Sequence, residues 1–340
     1  MQRILFSALG SLFLSFAAVL PLAHAEQSFN DLPSDHPAYA AAEYLKTQGI
    51  ISGYADGTFQ PDRKVNRAEA LKIIIAPLVK PEQLAEVKST VFTDVAPDAW
   101  FIPYIEAARQ NGIIDGPPKK EQFLGGNTVV TAEFFKMLEL AHQVDPTGSF
   151  SDIKLPMASD VADTQAWFYP YMRYALTSSM VMIGQDGLLH PAQELTRGDT
   201  AIYLYRFLMY KQARRTQALL SEAENELIVI LGMLEQDNLP EAQYASARAL
   251  LAARGAHFKR PDEVIVQGAV KITEAFRQIV LAYGHGRSGE LQSVVDASGE
   301  AWKLADRAIQ LDASLETIGK QVQQIAKNMA DSAREAMSGT

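Results

Sequence analysis

The residues best placed to do chemistry in this chain are two arginines in the first turns of helices. Asn66-Arg67-Ala68-Glu69 and Thr196-Arg197-Gly198-Asp199 each open an apolar segment of helical period. Asn66 and Thr196 are good N-caps, and Glu69 and Asp199 three residues on can reach back to complete a capping box. That explains the cap and the acid but not the cation, which opposes the helix macrodipole by ~0.3–1 kcal/mol. Two such arginines require a compensating partner. It is either an external anion, for which a helix N-terminus with an added arginine is a binding site, or a carboxylate within the domain.

Other candidates for chemistry fall away. Gly284-His285-Gly286-Arg287-Ser288-Gly289 fits G-x-G-x-x-G, but a dinucleotide motif needs a preceding strand and here a helix precedes; a flexible turn between helices is the expectation. The six histidines are scattered without metal spacing, and there is no cysteine, so thiolate metal sites, disulfides, thiol catalysis and a lipoprotein anchor are excluded. No P-loop or G-x-S-x-G elbow is present. Glu222 and Glu226 read as a solvated helix face. No catalytic residue, metal or cofactor is therefore expected, and the chain reads as a non-enzyme.

The elements that position the arginines repeat along the chain, and a search for repeats decides the architecture. Phe29-Asn30-Asp31, Phe92-Thr93-Asp94 and Phe150-Ser151-Asp152 share an F-x-D pattern, with starts 63 and then 58 residues apart. A helical segment follows each, then a Gly-rich turn, then a second apolar helix. The first turn reads Gly49-Ile50-Ile51-Ser52-Gly53-Tyr54-Ala55-Asp56-Gly57-Thr58-Phe59-Gln60-Pro61; the second keeps its beginning, Gly112-Ile113-Ile114-Asp115-Gly116, and the third its end, Asp186-Gly187-Leu188-Leu189-His190-Pro191. Units two and three share Ala99-Trp100-Phe101-Ile102-Pro103-Tyr104 and Ala166-Trp167-Phe168-Tyr169-Pro170-Tyr171.

This combination resembles the S-layer homology (SLH) domain, over residues 29–210. The resemblance implies an α-helical, pseudo-threefold module of three units with grooves between them, binding a wall-linked polysaccharide non-covalently. It also assigns glycan-binding positions: Arg67 and Arg197 as anion contacts, Trp100 and Trp167 as sugar-facing aromatics, Asp31, Asp94 and Asp152 near the unit starts, and Gly53 and Gly116 in the turns. Read from residue type alone, the aromatics could equally fill the core. The aspartates could be caps or turn residues, and the glycines could supply positive φ. The chain also departs from the family's pattern. Thr131 stands where unit two should have an arginine, and Pro117-Pro118-Lys119-Lys120 replaces its Tyr-x-Asp-Gly turn. Ser179 and Ile183 replace the two turn glycines of unit three, Gly198-Asp199 its Ala-Glu, and Pro37 stands where unit one should have tryptophan. One groove should be degenerate, leaving two at most.

The remaining expectations concern targeting and the second half. Arg3, the apolar run Ile4–Leu22, the break at Pro21 and the box Ala23-His24-Ala25 match a secretory signal cut before Glu26; an uncleaved anchor is the competing reading, since ~17–25 apolar residues can span a bilayer. The net charge of −9 becomes −10 without Arg3 (30 Lys and Arg against 40 Asp and Glu). An acidic chain without a basic block offers nothing to nucleic acid or to an anionic membrane.

Beyond the repeats, the helix after Thr196 shows no stop at Tyr210 and should run on to about Asp237. Pro240 should begin the next helix and Gly255 end it; Pro261 should begin a third, finishing near Tyr283 and Gly284. From Ser288 the pattern is helical almost to the end. Leu311, Leu315, Ile318, Val322, Ile325 and Met329 form an a/d seam of coiled-coil character. The expected organisation is thus a signal peptide (1–25), three repeats (26–88, 89–146 and 147–210, the second degenerate) and an α-helical hairpin or four-helix bundle (211–340). Such a chain would sit at a bacterial cell surface and bind a secondary cell-wall polysaccharide or peptidoglycan-linked glycan. Its helical half would self-associate, bind a partner or, in an alternative reading, act on envelope glycans as an enzyme.

Overall fold

A computed structural model describes residues 28–117 and 119–338. The expected signal segment and Pro118 lie outside them. The described fold is all-α. Helices α1 (Tyr39–Thr47) and α2 (Arg67–Ile75) form the first unit, followed by a short α3 (Pro81–Glu86). The second unit pairs α4 (Ile102–Gln110) with α5 (Thr131–Ala141), and the third pairs α6 (Tyr169–Thr177) with α7 (Arg197–Lys211).

The three units close on one another. The second helix of each packs against the first helix of the next: α2 on α4, α5 on α6, α7 on α1. At the centre, the residue before each N-cap enters a ring of main-chain hydrogen bonds. Val65 N–H donates to Leu195 (3.0 Å), Leu195 to Val129 (2.9 Å) and Val129 back to Val65 (3.1 Å). All three side chains are buried. The first two amides of each second helix, orphans in an isolated helix, are also claimed by the neighbouring unit. Arg67 and Ala68 donate to Asn127 and Gly125, Thr131 and Ala132 to Gln193 and Pro191, Arg197 and Gly198 to Arg63 and Pro61.

Within each unit an aspartate clamps the turn. Asp31 accepts from Phe59 N (2.6 Å) and Gln60 N (2.7 Å), and Asp94 from Phe123 N (2.7 Å) and Leu124 N (2.8 Å). Gln60 and Leu124 sit at φ 56° and 58°, where a side chain is unfavourable, and the charge-assisted bonds offset that cost. In the third unit the clamp is Asp160, accepting from His190 N (2.7 Å) with His190 at φ 53°. Asp152 is not its counterpart. It lies in a preceding loop and pairs with Arg254 at 2.9 Å, so the F-x-D at Phe150 belongs to the contact with the second half.

The turn glycines also differ from expectation. Gly53 and Gly116 have no positive φ; a Cβ at Gly53 would lie 2.8 Å from the Thr58 carbonyl oxygen, and one at Gly116 2.6 Å from Arg109 Cδ. Close approach requires them. The left-handed position is taken by Gly49, Gly112 and, in unit three, Ser179.

Among the described residues the second half holds five long helices: α8 (Thr216–Glu235), α9 (Leu239–Lys259), α10 (Val264–Arg287), α11 (Leu291–Leu311) and α12 (Glu316–Ser338). The helix after Thr196 does stop. Ala213 enters the left-handed region (φ 55°), and the amides of Ala213 and Arg214 turn back to the carbonyls of Tyr210 and Met209, a C-terminal motif made without glycine. Pro240 does sit in the first turn of α9, but Gly255 does not end it. It is buried inside the helix, where a Cβ would fall 1.8 Å from the Thr177 carbonyl of α6, so it is the crossing point of the two halves.

The third helix begins at Val264, three residues after Pro261, and runs through Gly284 and Gly286; only Gly289 lies in the turn. The final pattern is broken at Asp312, which caps Ser314 N. It folds as a hairpin of α11 on α12, with Val322 buried and Ile318, Ile325 and Met329 packed on the same core. Glu222 and Glu226 are not solvated: Glu226 forms a buried pair with Arg248 (2.7 Å), and Glu222 bonds Ser179 and Arg215. Among the described residues no helix is long and apolar enough to cross a membrane.

Candidate functional site

The ring of units places three grooves at equivalent positions, each bounded by the start of a second helix, the turn of the next unit and the threshold of the first helix of the unit after that. Arg67, first residue of α2, opens the first groove. Its capping box is complete: Glu69 N donates to Asn66 Oδ1 (2.9 Å) and Asn66 N to Glu69 (3.1 Å). The same box forms at Thr196 and Asp199. With the next amides bound to neighbouring carbonyls, these helix ends have no free N–H left for an anion. Only the side chains can serve.

The Arg67 guanidinium lies over the Phe123 ring, 5.5 Å from its centroid, and faces a cleft of about 330 Å³. Asp115 and Lys120 of the second unit's turn, Glu133 and Lys136 of α5, and Trp167 line the rest of it over a floor that includes Ile113 and Ile114. Among the described residues Arg67 makes no side-chain hydrogen bond or ion pair. Burial lowers its pKa, and the Glu133 charge partly opposes that; as a guanidinium it stays protonated. A half-buried cation whose donors go unused is primed to take an oxyanion, because the ligand would supply the bonds that water gives poorly in a cleft.

Trp167 is 54% exposed, so it does not fill the core. Its ring lies 6.0 Å from Lys136 Nζ and 6.3 Å from the Tyr171 ring.

The second groove has the same plan with a different outcome. Trp100 is 53% exposed, with Lys72 Nζ 5.4 Å from its ring. Arg197, however, is drawn into the first unit's turn. Its Nε donates to the Phe59 carbonyl (2.8 Å) and its NH2 to that of Ser52 (3.3 Å), while its guanidinium lies 4.9 Å from both the Tyr54 and Phe59 rings. Burial is the main influence on its pKa, downward; Tyr54, Glu69 and Asp31 pull the other way, and the charge of Arg63 adds to the lowering. Arg63, paired with Glu69 and donating to Tyr54 OH (2.7 Å), completes this side.

The third groove has lost its chemistry. Thr131 replaces the arginine and is buried, its hydroxyl on the Gln193 carbonyl (3.3 Å). Ile202 takes the place of the lysine and Pro37 that of the tryptophan.

The structure thus joins Arg67 with Trp167 in one cleft, whereas Arg197 lies on the first unit's turn and Trp100 beside Lys72. It places Asp31 and Asp94 inside the turns as clamps, with both oxygens occupied, and Gly53 and Gly116 in close packing. Lys72 and Lys136 were missed, although each stands five residues after the first position of its helix and was legible from the repeat. Lys120 had no such signal.

Residues 28–71 and 91–131 match the S-layer homology domain family. The chain is 28% identical over 209 residues to the Surface-layer 125 kDa protein of Lysinibacillus sphaericus, covering 60% of this chain and 17% of that one. It is 34% identical over 186 residues to the S-layer protein EA1 of Bacillus anthracis (55% and 20%) and 37% identical over 94 residues to the Cellulosome-anchoring protein of Acetivibrio thermocellus (27% and 21%). The chain therefore spans about a fifth of the length of these relatives.

Proposed function

We propose that this chain is a non-catalytic protein of the bacterial cell surface, held there by an anionic glycan seated in the Arg67–Trp167 cleft. The observation that carries this reading is the pairing of an unpartnered, half-buried guanidinium with an exposed indole across one cleft. The guanidinium would take a carboxylate or phosphate of the polymer, and the indole would stack on a sugar face, its hydrophobic area stabilising the contact while Lys136 and Lys120 add charge. The third unit, built on the same ring, is read as a divergent third SLH repeat. The Arg197–Trp100 groove is a secondary site, because its arginine must first leave the carbonyls it holds. The five-helix half would project from the anchor for self-association or for a partner. The likeness of the repeats at residues 28–71 and 91–131 to the S-layer homology domain supports the reading, as does the secretory signal expected before Glu26.

The test is co-sedimentation of residues 26–340 with purified cell-wall sacculi, untreated and stripped of their secondary polymer. Binding that disappears on stripping and weakens in Arg67→Ala is the expected result. Equal sedimentation of Arg67→Ala and the parent, or no binding to either preparation, would remove the cleft from the account.

A further inference from the structure

The cleft is held by two helices whose interface contains an unusual group. α5 contributes Glu133, Lys136 and Met137 to the cleft, and α6 carries Trp167 just ahead of its first turn. Between these helices lies Glu139, fully buried, with neither carboxyl oxygen within hydrogen-bond reach of a donor among the described residues. Facing it on α6 is Arg173, also buried. Its terminal nitrogens are taken by the carbonyls of Ile153, Pro146 and Ser149, while its Nε has no acceptor.

Tyr171 and Tyr174, also on α6, lie close enough to Glu139 to feel its charge, and Tyr171 is the ring on which Trp167 leans. Just past the end of α5, His142 caps the helix, held neutral by burial and by Lys211, with its pKa brought down to about 4. α2, packed on another side of α5, contributes no charge that acts on Glu139.

A carboxylate without partners in such a place costs several kcal/mol, so the group keeps its proton instead. Burial drives the Glu139 carboxyl well above the ordinary range, against a smaller pull from Arg173. A raised carboxyl stabilises the packed arrangement fully below the unfolded value of about 4.3 and loses that contribution as pH rises through the folded value.

We propose that Glu139 is a proton-linked latch on the cleft: neutral, it lets α5 and α6 close and holds Trp167 beside Lys136; ionised, it turns toward Arg173 Nε, displaces the first turn of α6 and withdraws the indole. On ionisation the carboxyl proton leaves to solvent and no other bond changes. The significance of the latch rests on the reading of the cleft as a glycan site, but its existence does not.

The experiment uses the mature chain carrying Trp100→Phe and Trp302→Phe, which leaves Trp167 as the only tryptophan of the three. Its emission and acrylamide quenching are followed from about pH 4.5 to about 9.5, the range above an ordinary glutamate, with far-UV circular dichroism recording that the helices persist. A one-proton transition in Trp167, absent in Glu139→Gln, is the expected result. Where the amide variant does not fold, Glu139→Met fills the same space without a titrating group and should likewise abolish the transition. Persistence of the transition in a folded variant, or its absence from the folded parent across the range, overturns the latch. No ligand enters these measurements, so their failure is distinct from a failure of sacculus binding.

Discussion

In the groove at Arg67 the guanidinium faces an open cleft with its donors unused, whereas at Arg197 the same position on an equivalent helix donates to the carbonyls of Phe59 and Ser52. The two helices are capped alike, and each of the two exposed tryptophans, Trp167 and Trp100, has a lysine near its ring. What differs is the turn opposite. Arg197 faces the turn that keeps Gly53-Tyr54 and Asp56-Gly57, and that turn offers it carbonyls and a tyrosine ring. Arg67 faces the turn that keeps the glycine, as Gly116, but has lost the Tyr-x-Asp-Gly after it, and there Asp115 and Lys120 line the cleft instead. A departure from the family's pattern that reads as decay in the sequence is, in the structure, what leaves an arginine available. The decayed groove is another one, at Thr131.

The sharpest way to break this comparison is to remove each arginine and watch binding and stability separately. Arg67→Ala should weaken sacculus binding by about tenfold to a hundredfold, as expected for a charge-assisted bond of ~1.5–3 kcal/mol, with the urea unfolding midpoint unchanged. Arg197→Ala should do the reverse, lowering unfolding free energy by ~1–2 kcal/mol through the lost part-buried bond to the Phe59 carbonyl and the exposed one to that of Ser52, while changing binding less than about threefold. If the two variants exchange these phenotypes, the grooves have been ranked wrongly.

The third unit sharpens the picture. Asp160→Asn should cost ~1–2 kcal/mol by weakening a clamp on a left-handed residue, and Asp152→Asn, which touches only a surface pair, should stay within ~0.5 kcal/mol. The smallest effect expected is on the aromatics. Trp167→Ala should reduce binding about two- to tenfold, from ~0.5–1.5 kcal/mol for a face contact, and Trp100→Ala by less.

Much of the first half was legible because its repeat fixes local chemistry. The capping boxes at Asn66 and Thr196 follow from residue type and spacing, and a turn role for Asp31 and Asp94 is one reading of the residue type; the arginine and tryptophan positions came only through the family resemblance. Asp160 was hidden because its unit has Ala158 where the others have phenylalanine, and Phe150-Ser151-Asp152 supplied a decoy nearby. The positive φ of Ser179 and Ala213 was illegible for the same reason: glycine, the usual marker, is absent.

In the second half the helical period was plain but its punctuation misled. Gly255 and Gly284 look like stops in a sequence. Whether a glycine ends a helix or lets another element approach depends on what lies across from it, and Thr177 of α6 is distant in the chain. The surroundings of Glu226 and Arg67 were unreadable for that reason too, one pairing with Arg248 and the other's side chain, among the described residues, making only a ring contact with Phe123.

The ring of bonds among Val65, Leu195 and Val129 has a mechanical consequence. For a molecule gripped at its grooves and pulled through its helical half, force enters the third unit along α7 and through the seat of α9 on α6. That unit is tied to both others, by Arg197 and Gly198 on one side and by the carbonyls of Gln193 and Pro191 on the other. The load is therefore divided between two parallel paths, and no single interface carries it. A linear string of three units would instead fail at its weakest link, so closing the chain on itself turns three modest contacts into one tether.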